Sequence, residues 1–397
     1  MKKFLIASTV LAGMSTAAMA EDIKIGILFG FTGPIETLTP PMAASVELAI
    51  KEVNDSGLLL DGQSKLVPLR ADSTCIDSAA ATAAAERLVT SENVAAIVGA
   101  DCSGVTVAVV NGVSTPNGVP TISPSATSPA LSSVEDRGYF FRTVPSDARQ
   151  GEVLAEVVKE RGLSNVAITY TNNDYGKGLA DSFSGAFTAL GGTVAITAAH
   201  EDGKADYSAE VGALSASGAE DLVVFGYVDQ GGRGIVQTSL DTGAFSRFVF
   251  ADGMIGQSLI DSVGEALEGS FGTAPGGEGE GLDKFHAMAT EAGIQGGGTG
   301  PFDANSYDAA ALIALAIQAA GSADRAAIQS KILEVANEPG EVILAGELAK
   351  GLQILKDGGQ INYQGASGVE FNDAGEVFGQ YRELEVKDGS FQTIAIR

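Results

Sequence analysis

Short β-branched runs alternate with longer segments of helical period from residue 23 onward, and that alternation limits the fold more than any other feature. "IKIGILFGF" (23–31) reads as a strand, and "PPMAASVELAIKEVNDSG" (40–57) as a helix with proline at its start and glycine at its end. "SKLVPLRAD" (64–72) is a second strand, "SAAATAAAERLVTSE" (78–92) a second helix and "NVAAIVGA" (93–100) a third strand, with another helix expected from Ser103. Strands alternating with helices imply a parallel sheet covered on both faces. The pattern breaks at "YFFRTVPSDARQG" (139–151), where an extended, proline-containing segment replaces a helix. It resumes with helix 147–162, strand 165–171, helix 176–191, strand 192–197, helix 206–218, strand 221–227 and strand 247–253, which predicts a second α/β lobe. A Pro/Gly/Glu-rich stretch, "GTAPGGEGEG" (272–281), precedes a helix-rich segment at 285–355 and closing strands within 361–396. That helical piece is expected to return to the first lobe, which makes the segments near Val144 and Thr273 hinge candidates.

The chain opens "MKKFLIASTVLAGMSTAAMA", with two lysines, a short apolar stretch and small residues ending in Ala18-Met19-Ala20. This is the pattern of a cleavable secretory signal at residues 1–20. Its apolar part falls short of the roughly 18 residues that a membrane helix needs. Removing 20 of the 397 residues leaves 377, more than one core usually organises, so two domains are expected. The formal charge of −26 becomes −28 without Lys2 and Lys3. Such a surface repels phosphate backbones and anionic lipids, which argues against a nucleic-acid or membrane-surface partner.

The chain has two cysteines, Cys75 and Cys102, and export would place them in an oxidising compartment where a pair tends to bridge. Closing that span would stabilise the fold by about 3.5 kcal/mol in the chain-entropy model. No CxxC spacing or neighbouring histidine suggests a redox or metal pair. Only two histidines, His200 and His286, occur, and GxSxG is absent, so a Ser-His-Asp enzyme has little support. "GGRG" (231–234) lacks the GxGxxG spacing of a dinucleotide site. "DANSYD" (303–308) resembles half of a calcium loop without its glycine and final glutamate, and helix capping by Asp303 or Asn305 explains it better.

What remains is a set of polar residues at the ends of apolar strands. Ser103 follows one strand, and Ser123, Ser125 and Thr127 follow the next. In open α/β sheets, ligands sit beyond the carboxyl ends of strands, where helix N-termini point free amides into the crevice. Ser103 and Thr127 could each offer a hydroxyl and an N–H to a carboxylate; plain N-capping explains either residue alone equally well. Two on neighbouring strand ends favour binding. In the second lobe Tyr175, Tyr227 and Asp252 also fall at strand ends. An acid there is costly unless something cationic pairs with it, and an ammonium is the simplest partner. Capping of a helix near Gly256 is the competing explanation for Asp252, and rim packing for the tyrosines.

"VGADCSGVT", "ISPSATSPAL", "YFFRTVPSDARQG", "NNDYGKGLA" and "FVFADG", in this order, resemble the leucine/isoleucine/valine-type periplasmic solute-binding proteins of ABC transporters. The resemblance implies a type I periplasmic-binding-protein fold: two doubly wound parallel-sheet lobes joined by three hinge crossings. One lobe would comprise 21–144 and 275–377, the other 145–274 and 378–397. It places the cysteine pair where that family has a disulfide. It also implies that Ser103 and Thr127 grip a ligand carboxylate and that the backbone carbonyl at Ser125 accepts from its ammonium, with Ala126 among the ligand-binding residues. Asp252 would neutralise that ammonium, Tyr175 and Tyr227 would close from the second lobe, and Phe302 would line the side-chain pocket. This sequence departs from the family after "TGPI", where "ETLTPP" supplies Leu38 instead of an aromatic wall, and at Asp252, which replaces a longer glutamate. The stretch around Tyr227 lacks one glycine of the family pattern.

The expectation is a monomeric, periplasmic binding protein rather than an enzyme. It would capture a small amino acid, branched-chain types favoured, for an ABC permease in the inner membrane, with no cofactor required. The rivals are a binding protein for amides or aromatic acids, a ligand-sensing module of a receptor or regulator and, more distantly, a hydrolase.

Overall fold

The computed structural model describes residues 21–397. The secretory signal expected at 1–20 lies outside the described residues. The first sheet contains β1 (Glu21–Phe29), β2 (Ser64–Asp72), β3 (Ala96–Gly99), β4 (Thr121–Ser123) and β5 (Phe140–Arg142). Its order is β2-β1-β3-β4-β5, parallel throughout. The second sheet contains β6 (Asn165–Thr171), β7 (Thr193–His200), β8 (Asp221–Phe225), β9 (Phe248–Phe250) and β10 (Phe271–Pro275). A small sheet pairs β11 (Glu341–Leu344) with β12 (Ile361–Gly365). The chain then returns to the second sheet through β13 (Tyr381–Lys387) and β14 (Ser390–Ile396), giving the order β14-β13-β10-β9-β8-β6-β7. These last two strands run antiparallel, a departure from the all-parallel lobe expected.

Among the described residues, twelve α-helices cover the sheets: α1 (Thr39–Ser56), α2 (Ser78–Glu86), α3 (Ser103–Val109), α4 (Asp147–Glu160), α5 (Asp174–Ala189), α6 (Ser208–Ser215), α7 (Gly231–Thr242), α8 (Gln257–Val263), α9 (Glu280–Glu291), α10 (Asp303–Ala320), α11 (Arg325–Ala336) and α12 (Leu348–Lys356). Two prolines open α1, and Gly57 closes it in the left-handed conformation at φ 63°, where a side chain would be strained. α10 packs against α1, α11 and α12, which is why its alanine-rich sequence is buried on nearly every side. Among the described residues, no single helix is long and apolar enough to cross a membrane.

The chain therefore passes between the two sheets three times, after β5, after β10 and before β13. The strand β10 was hidden because the linker-like "GTAP" is its buried end. The expected cap also needs correction. Asp303 is the first residue of α10, and its Oδ2 accepts the Gly300 N–H (3.0 Å) in the preceding turn. Asn305 instead ties α10 to the first crossing: its Nδ2 donates to the Thr143 carbonyl (2.5 Å), and Thr143 Oγ donates to the Asn305 carbonyl (2.9 Å).

Candidate functional site

The carboxyl ends of β3 and β4 face those of β6, β8 and β9 across a cleft lined by Ile35, Leu38, Asp101, Cys102, Ser103, Ser125, Tyr175, Tyr227, Asp252, Gly253 and Phe302. All space in it not filled by atoms amounts to about 310 Å³, open solvent at its mouth included, and the closed cleft itself is tightly packed. No lysine or arginine lines it. The structure brings Ser103, Ser125, Tyr175, Tyr227, Asp252 and Phe302 to one cleft, while Ala126 and Thr127 are buried in the loop behind Ser125.

The strand-end hydroxyls divide into two groups. Ser123 Oγ donates to the Ala100 carbonyl (2.5 Å) and accepts the Ala126 N–H (3.0 Å), and Ser125 Oγ donates to the Asp101 carbonyl (2.9 Å). These bonds stitch the loop after β4 to the loop after β3. Ser103 is different. It does not cap its helix: the N-cap of α3 is Cys102, which makes no side-chain bond, and Ser103 Oγ accepts the Ser128 N–H (3.1 Å). Its hydroxyl proton stays available to an acceptor in the cleft. The carbonyl of Ala126 is taken by Arg142 Nη1 (3.2 Å), which leaves Ser125 as the residue of that pair lining the cleft.

Asp252 begins a short 3₁₀ turn after β9 and is 1% exposed. It does not cap α8, whose N-cap is Gly256. Its Oδ1 accepts from the Tyr175 hydroxyl (2.7 Å) and the Gly253 N–H (2.7 Å), while the buried Oδ2 has no partner. Burial raises its pKa to about 6, against the pull of the Tyr175 and Gly253 bonds. Tyr175, on the first turn of α5, stacks on Tyr227 with ring centroids 5.2 Å apart, and Asn173 Nδ2 donates to the Tyr227 hydroxyl (3.3 Å). Both phenols are pushed well above their ordinary range, first by burial.

Three charged residues at the site went unread in the sequence. Asp147, on the first turn of α4, is fully buried, and neither carboxylate oxygen makes a well-formed hydrogen bond, although the Thr127 hydroxyl is near enough to act on it. Its backbone N–H donates to the Thr127 carbonyl (2.8 Å). Burial first, then the nearby charge of Asp252, drives its pKa well up, while the Thr127 hydroxyl and Arg142 pull it down. Asp101 is satisfied structurally: Oδ2 accepts the Gly30 N–H (2.6 Å) and Oδ1 the Ser73 hydroxyl (2.7 Å), binding together the loops after β1, β2 and β3. Arg142 is buried beneath the β4 loop, donating to the Ala126 and Ser128 carbonyls (3.2 and 2.9 Å), Ser132 Oγ (2.8 Å) and Glu376 (2.6 Å). The signal for Asp147 and Arg142 was present in "FFRTVPSDARQG", a charged pair inside an otherwise apolar crossing. Cys75 and Cys102 form a disulfide with S–S 2.08 Å, and Cys102 lines the cleft.

Two hinged α/β lobes around a buried, polar-ended cleft define a solute-capturing protein of type I binding fold. The chain belongs to the periplasmic binding protein family, whose model matches residues 22–348. It is 30% identical over 325 residues to the leucine-, isoleucine-, valine-, threonine- and alanine-binding protein of Pseudomonas aeruginosa, covering 81% of this chain and 84% of that one. The fold is similar to that of a leucine-binding protein, LivK, from Thermotoga maritima (TM-score 0.77, 24% identity, 94% of this chain and 98% of that one). It is also similar to the isoleucine complex of LivJ from Streptococcus pneumoniae (TM-score 0.76, 23% identity, 95% and 99%). A Rhodopseudomonas palustris solute-binding protein in complex with 4-hydroxybenzoate is comparably similar (TM-score 0.75, 19% identity, 95% and 97%). The sequence resemblance is thus borne out for family and fold, which are those of solute-binding proteins rather than enzymes.

Proposed function

We propose that the cleft captures a small L-amino acid with an aliphatic side chain for an ABC importer. The observation that carries this reading is the free Oδ2 of Asp252, buried in a cleft without a cationic side chain. A bare carboxylate there is costly, and an ammonium supplies the missing charge and donors. Ser103 offers its hydroxyl to the ligand carboxylate from the other wall, while Thr127, expected to share that grip, lies behind Ser125 with its hydroxyl toward Asp147 and reaches a ligand only if the loop shifts. Ile35, Leu38 and Phe302 surround the side chain, where burial contributes about 1.5–3 kcal/mol for a branched aliphatic group. Charge-assisted bonds shielded from water provide affinity, and the closed shape is what the permease of the inner membrane reads.

The lobes are assigned as 21–144 with 275–377 and 145–274 with 378–397, and the protein acts as a periplasmic monomer after removal of residues 1–20. The relative from Pseudomonas aeruginosa, named for five small amino acids, supports the ligand class.

Titration calorimetry tests the reading with L-leucine, L-valine, L-alanine, the matching 2-hydroxy acids and 4-hydroxybenzoate. The amino acids are expected to bind and the 2-hydroxy acids to bind at least about a hundredfold more weakly, since they leave the buried carboxylate unpaired. Equal binding of acids without an ammonium would assign the site to carboxylic acids in general.

A further inference from the structure

At the rim of the cleft, Asp229 of the second lobe is held by donors from both lobes. It follows Tyr227 in the loop between β8 and α7 and is 6% exposed. Thr37, in the loop between β1 and α1, donates its N–H to Oδ2 (2.8 Å) and shares its hydroxyl between Oδ2 (2.8 Å) and Oδ1 (2.9 Å). Ser258, on the first turn of α8, donates to Oδ1 (3.1 Å) and lies 3.0 Å from the Thr37 hydroxyl. The Asp229 N–H donates across the same gap to the Pro34 carbonyl (3.0 Å).

These bonds join segments that carry the cavity wall. Ile35 and Leu38 flank Thr37, and Tyr227 lies two residues before Asp229; all three line the cavity. Leu38 packs against the second lobe closely enough that a Cβ on Gly256 would lie 3.2 Å from its Cδ2 and 3.1 Å from Val228 Cγ2. The position where the family places an aromatic wall is thus occupied by a smaller residue whose place depends on its polar neighbour.

We propose that Asp229 is a positioning residue: by binding Thr37 and Ser258 it assembles the roof of the cavity from both lobes and sets how long a ligand is retained, without touching the ligand. The two Thr37 donors and the Asp229 N–H bond to Pro34 form only when the lobes meet, whereas Ser258 holds the carboxylate within its own lobe. Once they separate, water takes their place. The latch therefore acts on the closed state, and its loss is expected in dissociation rather than association.

The proposal rests on the reading of the cleft as the ligand site, and its test separates the two. Hydrogen exchange of the 34–38 segment is measured without added ligand, and L-leucine association and dissociation by stopped flow, for wild type, Asp229→Ala, Thr37→Val, Thr37→Ser and the Thr37→Val/Asp229→Ala double variant. Asp229→Ala is expected to speed exchange and raise the dissociation rate about tenfold or more, with association changed less than about threefold. Thr37→Ser keeps the hydroxyl and should behave as wild type, and the double variant should dissociate no faster than Asp229→Ala. Unchanged exchange and dissociation, or losses that add independently in the double variant, would overturn the latch. Faster exchange without faster dissociation would overturn the positioning role. If wild type does not bind L-leucine, the amino-acid reading fails while exchange still decides the latch.

Discussion

At the scale of single residues, Asp252 has the most to decide. Its strand-end position was legible because an acid closing "FVF" stands out against an apolar run, and the structure removes the capping explanation by placing Gly256 at the head of α8. Asp252→Ala is expected to weaken amino-acid binding by about 2–5 kcal/mol, measured by calorimetry. The pH dependence follows from its pKa near 6, raised by burial among Tyr175, Tyr227, Asp147 and Tyr381. An ammonium favours the ionised form, so binding releases a proton below that pH. Affinity should fall about fivefold as the pH drops from 6 to 5, approach tenfold per unit below that and level off above about 7, and Asp252→Asn should flatten the profile. A pH-independent affinity in wild type would contradict this. Ser103 and Thr127 were legible as strand-end hydroxyls, but that Ser103 alone of the four lines the cleft with an unspent hydroxyl was not, because it depends on which groups the two loops bring within reach of one another.

At the scale of elements, the site depends on the loop after β4, and that loop depends on Arg142. The guanidinium supplies donors to two of its carbonyls and is closed by Glu376 from just before β13. Arg142→Met keeps much of the volume and removes the donors. It is expected to destabilise the protein by about 3 kcal/mol in urea unfolding, because buried acceptors and a partly buried Glu376 lose their partner, and to weaken binding as well. Unchanged stability would mean that the loop holds its shape without the brace. Strands and helices of regular period were read from the sequence nearly to the residue: "SKLVPLRAD" is β2 itself, and Pro40 and Gly57 mark α1. β10 and β11 escaped because glycine and proline dominate their flanks, so strand identity there comes from neighbours in the sheet and not from local preference.

At the scale of the whole molecule, buried acids and net charge point the same way. Burial raises Asp252 to about 6, Asp308 to about 6 and Asp303 to about 7, and it also raises Glu52, Asp101, Asp147 and Asp202. Each holds more protons folded than unfolded between its ordinary value and its raised one, so the folded state loses ground as pH climbs through about 4 to 7. Self-repulsion of a chain at −26 grows in the same direction. The melting temperature of the ligand-free protein is therefore expected to be higher at pH 5 than at pH 8; calorimetric scans giving the reverse order would show that the ion pairs and the buried His200, whose pKa burial lowers to about 4, dominate. The two-lobe architecture was legible from the broken alternation, whereas the antiparallel edge of the second sheet was not, since nothing local tells a strand which lobe it will join.

That edge affects how the molecule is made. β13 pairs with β10, and β14 completes the sheet only at the far end of the chain. A polypeptide emerging N-terminus first can assemble its first parallel sheet early, yet it leaves β10 with a bare flank until β13 arrives. Completion of the second sheet thus waits until α9 to α12 have been made, and a truncation before Tyr381 would leave β10 with an open, adhesive β-edge.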